Sequence, residues 1–312
     1  MTWLPARSGQ REEGLVGVDW GTTNFRAYRF NEAGQVIERR FSTAGILSVT
    51  GGMFAETLQE KVGDWIAAGE KHVLLSGMVG SRQGWVEVDY LPCPVKVDDL
   101  ATGVVNVPYE EAHVLLIPGV RGEDVGGVPE VMRGEETQVM GLAERCLRGG
   151  LVCIPGTHTK WIELTDGTIE SFQTCMTGDV FAALRKETIL ARLMHADAPL
   201  DEERFLHGVE RSADAGGVLH HLFGVRTLAL MGELREEAAA SYLSGLLIGH
   251  EVRAMMPASA NVHIVGAAEL CGLYRRAIES CGGEATIEEE GAAARGLAAI
   301  GRRLDWRKRI RS

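Results

Sequence analysis

Apolar and polar residues alternate along residues 15–41 in three short runs, broken at Gly21-Thr22 and at Asn31-Glu32-Ala33-Gly34. This period of two predicts three strands joined by turns. The spacing then lengthens: Leu58, Val62, Trp65 and Ile66 share one face of a helix predicted over 54–67. His72-Val73-Leu74-Leu75-Ser76-Gly77 reads as a buried strand, so the order is β-β-β-α-β. The prolines and glycines of 79–118 predict irregular structure with edge strands. Helical spacing returns over 132–147, with Gly134-Glu135-Glu136 at its start and Arg145 and Arg148 near its end, the charge order that a helix dipole favours.

From residue 151 the opening pattern recurs. Strands are predicted over 151–154, 159–164 and 168–173, with turns at Gly156 and Asp166-Gly167, and a helix follows over 178–193. Residues 195–224 read as an insertion. A long amphipathic helix over 236–256, a buried strand at Val262-His263-Ile264-Val265, a helix over 267–280, a strand over 284–288 and a terminal helix over 291–304 complete the chain. The repetition predicts two similar α/β domains, 1–149 and 150–312, meeting near Gly149-Gly150.

With 312 residues, 45% of them apolar, each half can bury its own core. The net charge of -11 argues against a nucleic acid or an anionic membrane as partner, and it requires that an anionic substrate be bound by local positive charge. No apolar run reaches the ~18 residues of a membrane span, and residues 1–7 lack the pattern of a signal peptide. Cys93, Cys146, Cys153, Cys175, Cys271 and Cys281 form no C-x-x-C pair and read as reduced thiols of a cytoplasmic protein. The basic end, 302–312, reads as a solvated tail.

Two glycine-threonine hairpins carry the chemistry. The first is Gly17-Val18-Asp19-Trp20-Gly21-Thr22-Thr23-Asn24-Phe25-Arg26, the second Ile154-Pro155-Gly156-Thr157-His158-Thr159-Lys160-Trp161. Each turn offers free backbone N–H groups and hydroxyls, as in a phosphate cradle, and two of them half a chain apart suggest two halves closing on one nucleotide. Gly21, Thr22 and Thr23 form the first cradle, Gly156, Thr157 and Thr159 the second; alternation puts His158 and Lys160 on the other side of that strand. Asp19 suits a magnesium ligand acting through water, since a carboxylate beside a phosphate calls for a cation between them; the competing role is a turn cap. The small residues Gly266 and Ala267, between a buried strand and a helix, would let a flat adenine approach. There is no Walker A loop, no dinucleotide-binding G-x-G-x-x-G, no G-x-S-x-G elbow and no H-E-x-x-H.

These hairpins and the late Gly-Ala-Ala corner resemble the actin, Hsp70 and sugar-kinase superfamily. More narrowly, the chain resembles the 2-dehydro-3-deoxygalactonokinases, over about 15–304. That resemblance rests on the first hairpin, on Leu75-Ser76-Gly77-Met78-Val79-Gly80-Ser81-Arg82-Gln83-Gly84-Trp85, on Met132-Arg133-Gly134-Glu135-Glu136-Thr137-Gln138, on the second hairpin, and on Met176-Thr177-Gly178-Asp179, where Asp179 replaces an expected Glu. It implies two actin-like, ribonuclease H-like domains around a nucleotide cleft, with ATP and Mg2+ as cofactors. The implied reaction is phosphorylation of the terminal hydroxyl of 2-dehydro-3-deoxy-D-galactonate, a small-molecule sugar acid.

Such a substrate needs a basic fork for its carboxylate: Arg82 is the first candidate, with Arg26 and Asn24 as further substrate contacts. Alcohol phosphorylation also benefits from a carboxylate that takes the hydroxyl proton. Glu136 is the preferred base, with Glu135 beside it and Asp179 next. The competing readings are a phosphatase or other hydrolase on the same fold and a non-catalytic ATP-binding regulator. Self-association is left open.

Overall fold

The computed structural model describes residues 14–143, 149–195 and 198–306. The first half opens with β1 (Leu15–Trp20), β2 (Phe25–Phe30), β3 (Val36–Ser42), α1 (Phe54–Ala67) and β4 (His72–Ser76). It continues through β5 (Leu91–Pro92), α2 (Val97–Gly103), β6 (Val105–Val107), β7 (His113–Leu116), β8 (Val120–Glu123), β9 (Pro129–Met132) and α3 (Glu135–Met140). The second half comprises β10 (Gly150–Ile154), β11 (Thr159–Thr165), β12 (Thr168–Cys175), α4 (Thr177–Glu187), α5 (Glu202–Arg211), α6 (Gly217–Leu230) and α7 (Glu236–Met255). It ends with β13 (Asn261–Ile264), α8 (Ala268–Ser280), β14 (Glu284–Ile287) and α9 (Ala292–Gly301).

The predicted repetition is present in the sheets. One runs β3-β2-β1-β4-β7-β6 and the other β12-β11-β10-β13-β14. In each, the opening strand pairs antiparallel with the second and parallel with the fourth. This duplicated α/β architecture is the actin-like, ribonuclease H-like fold. A third, small sheet, β5-β8-β9, lies between the halves, and Val95 bridges it to Ile169 of β12.

Alternation along β1 explains its placement. Val16, Val18 and Trp20 face Leu58, Val62 and Trp65 of α1 in one core, while Gly17 leaves the opposite face free of side chain. A Cβ on Gly17 would lie 2.9–3.1 Å from Phe30 and Leu297. Helix α9, the last of the chain, therefore docks on β1 of the first half, and Leu297 joins Tyr28, Leu74, Val152, Ile162 and Phe172 in a core shared by both halves.

Four predicted features change. Residues 79–118 are more regular than expected, containing α2 and the paired strands β6 and β7. The helix predicted from 132 begins only at Glu135, because Met132 ends β9 and Gly134, at φ 108°, turns the chain; the part beyond 143, with Arg145, Cys146 and Arg148, lies outside the described residues. The 195–224 insertion contains α5 and most of α6. Helix α5 touches α7 backbone to backbone: a Cβ on Gly245 would lie 1.8 Å from the Phe205 carbonyl oxygen. Helix α7 is consequently buried on most sides rather than amphipathic. Residues 1–13 and the end from 307, where the leader and tail readings fall, also lie outside the described residues.

Candidate active site

The first turn is organised so that its carbonyls are used while two of its amides, those of Thr22 and Thr23, are not. Gly21 N–H donates to Asn24 O at 2.9 Å, closing the turn, and the amides of Gly45, Ile46 and Leu47 donate to the carbonyls of Thr23, Gly21 and Thr22. Among the described residues, the Thr22 and Thr23 amides have no acceptor, and both residues are exposed. Asn24 Nδ2 donates to Thr23 Oγ1 at 3.2 Å. Asp19 sits directly opposite Arg26 in the strand pair, and Arg26 Nη1 donates to its Oδ2 at 3.1 Å. Burial pushes the Asp19 pKa up, while Arg26 pulls it down. No group of three or more His, Cys, Asp or Glu side chains suited to a metal occurs among the described residues. A cation at Asp19 would thus be held by one carboxylate with water and phosphate oxygens, the habit of magnesium.

Three glycines bring a second acidic group against this turn. A Cβ on Gly77 would meet Trp20 O at 2.8 Å and Asp19 Oδ1 at 3.4 Å, and a Cβ on Gly134 would meet Gly77 Cα at 3.2 Å. Gly80 closes the same segment against Arg133, whose Nη1 would be 2.9 Å from an added Cβ. The carboxylates that follow Gly134 then diverge. Glu136 is 1% exposed; its Oε2 accepts the Gly134 N–H at 2.6 Å and its Oε1 accepts the Thr137 hydroxyl at 3.1 Å. Burial, with Glu135 adding repulsion, pushes its pKa up to about 8. Glu135 stays partly exposed, and its Oε2 accepts the Arg133 N–H at 3.0 Å. Its pKa is raised chiefly by burial and slightly by Asp19, and is drawn down by Lys160. Both carboxylates thus fold back on the helix start, and they differ in burial: Glu136, the preferred base of the sequence reading, is enclosed, while Glu135 keeps some exposure.

Lys160 ties the second hairpin to this group. Its ammonium donates to Val131 O and to Thr174 Oγ1, each at 2.8 Å, and it is 5% exposed. Burial lowers its pKa while Glu135 and Glu130 raise it. Asp19 of the first half and Lys160 of the second thus both act on Glu135.

The second turn splits its predicted residues. Gly156 and Thr157 lie at an open tip, with no atom within 4 Å of a Cβ on Gly156 and no acceptor for either amide among the described residues. Thr159, by contrast, is fully buried and its hydroxyl bonds the Tyr274 hydroxyl at 2.8 Å, so its side chain faces the core and not the cradle. His158 pairs with Asp179 at 2.9 Å, and Asp179 N–H donates to Thr157 O at 3.1 Å. Helix α4 therefore starts on the turn. The Gly266-Ala267 corner is exposed beside it, a Cβ on Gly266 falling 3.4 Å from Pro155 O.

Comparison with known proteins gives the family. The family model for 2-keto-3-deoxy-galactonokinase matches residues 19–300. The chain belongs to that family. It is 33% identical to the 2-dehydro-3-deoxygalactonokinase of Escherichia coli (strain K12) over 87% of this chain and 91% of that protein. It is 34% identical to DgoK1 of Rhizobium meliloti (strain 1021), assigned the same activity, over 93% of this chain and 97% of that protein. A crystal structure from Sinorhizobium meliloti, assigned as a protein of this kind, superposes with a TM-score of 0.84 at 33% identity, covering 92% of this chain and 96% of that one. Membership makes the chain a sugar kinase, a phosphotransferase that uses ATP and a small-molecule acceptor. No helix among the described residues is long and apolar enough to cross a membrane.

Within this kinase, Arg82 stands at the surface, 87% exposed, its only ion pair among the described residues a 3.4 Å approach to Glu87. Three other residues gain importance that spacing did not signal. Lys160 was set aside by alternation, yet its face of β11 turns toward the other half. Glu251, in the middle of α7, accepts Trp161 Nε1–H at 2.7 Å and the Tyr274 hydroxyl at 2.8 Å behind the second turn. Arg133 was quoted only as part of a motif, although it is 7% exposed.

Proposed function

We propose that the chain transfers the γ-phosphoryl group of ATP to the terminal (C6) hydroxyl of 2-dehydro-3-deoxy-D-galactonate, in the cytoplasm, as a step in galactonate breakdown. The observation that carries this reading is the packing of Gly134 on Gly77, which itself lies against Asp19, so that the helix start bearing the partly exposed Glu135 sits beside the first hairpin. Residues 1–149 would then form the sugar-acid half and 150–312 the adenosine half, apart from α9, which packs on the first sheet.

The residues fit the cofactors. The unclaimed amides of Thr22, Thr23, Gly156 and Thr157 would hold phosphate oxygens, the exposed Gly266-Ala267 corner would hold adenosine, and Asp19 would hold magnesium through water. Bound MgATP supplies an activated phosphoryl group whose charge the metal offsets. The acceptor hydroxyl, flanked by Arg26 and Asn24, gives its proton to Glu135. Burial raises the basicity of that carboxylate above its ordinary value, the direction that favours a general base. Glu136 and Thr137 hold the helix start, and Ser76 joins Thr137 by a 2.6 Å hydrogen bond.

The test is ADP release from MgATP with and without a panel of 2-keto-3-deoxy sugar acids, with the product assigned by phosphorus-carbon coupling in NMR. ADP is expected only with the acid, and phosphate on C6. Equal ADP release in its absence would favour the hydrolase, and phosphate on another carbon would overturn the assignment of the acceptor.

A further inference from the structure

We infer that Arg133, with Ser81, forms the carboxylate-binding site for the substrate, in place of the exposed Arg82; this rests on the sugar-acid kinase reading above. The guanidinium of Arg133 is buried and only partly used. Its Nη2 donates to Val88 O at 2.6 Å and its Cζ lies 4.3 Å from the centre of the Tyr90 ring, but Nε and Nη1 have no hydrogen-bond partner. The Ser81 hydroxyl is likewise buried without a partner. Arg133 makes no ion pair among the described residues. Buried polar groups are nearly always satisfied, and an uncompensated buried charge is costly. Nε–H and Nη1–H lie on either side of Cδ and so offer two separate donors rather than one bidentate edge; these donors and the unpartnered Ser81 hydroxyl call for an anionic acceptor, which in a sugar acid is the carboxylate.

Its place relative to the reacting end is set by one short segment. Gly77 lies against Asp19, and Gly80, three residues on, lies against Arg133 Nη1. Ser81 follows directly. A substrate lying along this segment would put its hydroxyl end by Asp19 and Glu135 and its acid end by Arg133 and Ser81. Entry requires the Ser81-Arg82-Gln83 turn, whose Arg82-Gln83 tip is exposed, to move aside.

The test compares 2-dehydro-3-deoxy-D-galactonate with its C1 carboxamide, by calorimetric binding and by turnover, in wild type, Arg133→Lys, Arg133→Met, Ser81→Ala and Arg82→Ala. Wild type should prefer the acid. Arg133→Lys and Arg133→Met should lose about 10–150-fold in affinity for the acid, the worth of hydrogen bonds to a charged group, with little change for the amide. Ser81→Ala should lose a smaller factor in the same direction and decides the matter if the Arg133 variants do not fold. Unchanged discrimination in Ser81→Ala and in folded Arg133 variants, or its loss in Arg82→Ala alone, overturns the assignment. Wild type that binds the acid without phosphorylating it would refute the kinase reading while still testing Arg133. Wild type that binds neither compound would refute both.

Discussion

Glu136 accepts the amide hydrogen of Gly134 at 2.6 Å and so closes the start of its own helix, two residues back along the chain. A carboxylate in that position satisfies a helix N-terminus. Its neighbour Glu135 is the one left partly exposed.

Glu135→Gln should therefore lower kcat by about 10²–10⁴-fold, the usual worth of a positioned base, with ATP-analogue affinity close to wild type. Glu136→Gln should keep most of its turnover, since Gln can still accept from Gly134. Steady-state kinetics on both variants separate the two: an inactive Glu136→Gln beside a fully active Glu135→Gln would return the role to Glu136.

Burial of Glu136, against the pull of the Gly134 contact, sets a pH dependence of stability. The Glu136 pKa is raised from 4.5 to about 8 in the folded chain, so the folded state binds the proton more tightly than the unfolded state does. The resulting stabilisation is complete below pH 4.5 and is lost as pH rises toward about 8. Between those limits this group contributes a slope of up to roughly 1.4 kcal/mol per pH unit, falling with pH. Urea unfolding across pH 5–8 should show a shallower decline in Glu136→Gln than in wild type; parallel curves would mean that this group carries no such shift.

Asp19→Asn should abolish turnover with an unfolding temperature near or above that of wild type. Burial of Asp19 outweighs its attraction to Arg26, whose side chain is 41% exposed, so the charge contributes little to the fold. Calorimetry combined with ADP release checks this. Retained turnover would leave Asp19 a turn cap.

Much of this was legible in the chain. Short apolar or alternating strands flank both turns, and both turns contain glycine, so the duplicated sheets and the positions of Asp19, Gly21 and Gly156 follow from local pattern. Contacts made across the molecule were not legible. That Thr159 turns to Tyr274, 115 residues away, and that Lys160 reaches Val131 depend on which face of β11 meets which neighbour. Period-two alternation separates two faces without saying what covers them. The pair Glu135-Glu136 shows the same limit at a helix start, where both carboxylates accept backbone amides and only the packing around them buries one more than the other. Helix α5 escaped detection because its buried stripe is short, Phe205, Gly208 and Val209 amid charged residues, and one of the three is a glycine.

The last expectation concerns how α4 is seated on the second turn. A Cβ on Gly178 would lie 2.4 Å from Gly156 O and 2.7 Å from Thr157 Cα, both backbone atoms that cannot step aside without moving the turn. Gly178→Ala should therefore weaken binding of an ATP analogue several-fold and leave sugar-acid binding close to wild type, because the displaced amides belong to the nucleotide half. Alanine's better helix propensity, worth roughly 0.8–1 kcal/mol over glycine, does not relieve a backbone clash of this size. Gly224 of α6 is the control: no atom lies within 4 Å of its Cβ position, so Gly224→Ala should gain about that propensity difference and change neither affinity. Unfolding and calorimetric titration of the two variants give the comparison. A Gly178→Ala variant with unimpaired nucleotide affinity would show that the Gly156-Thr157 turn is not a phosphate cradle.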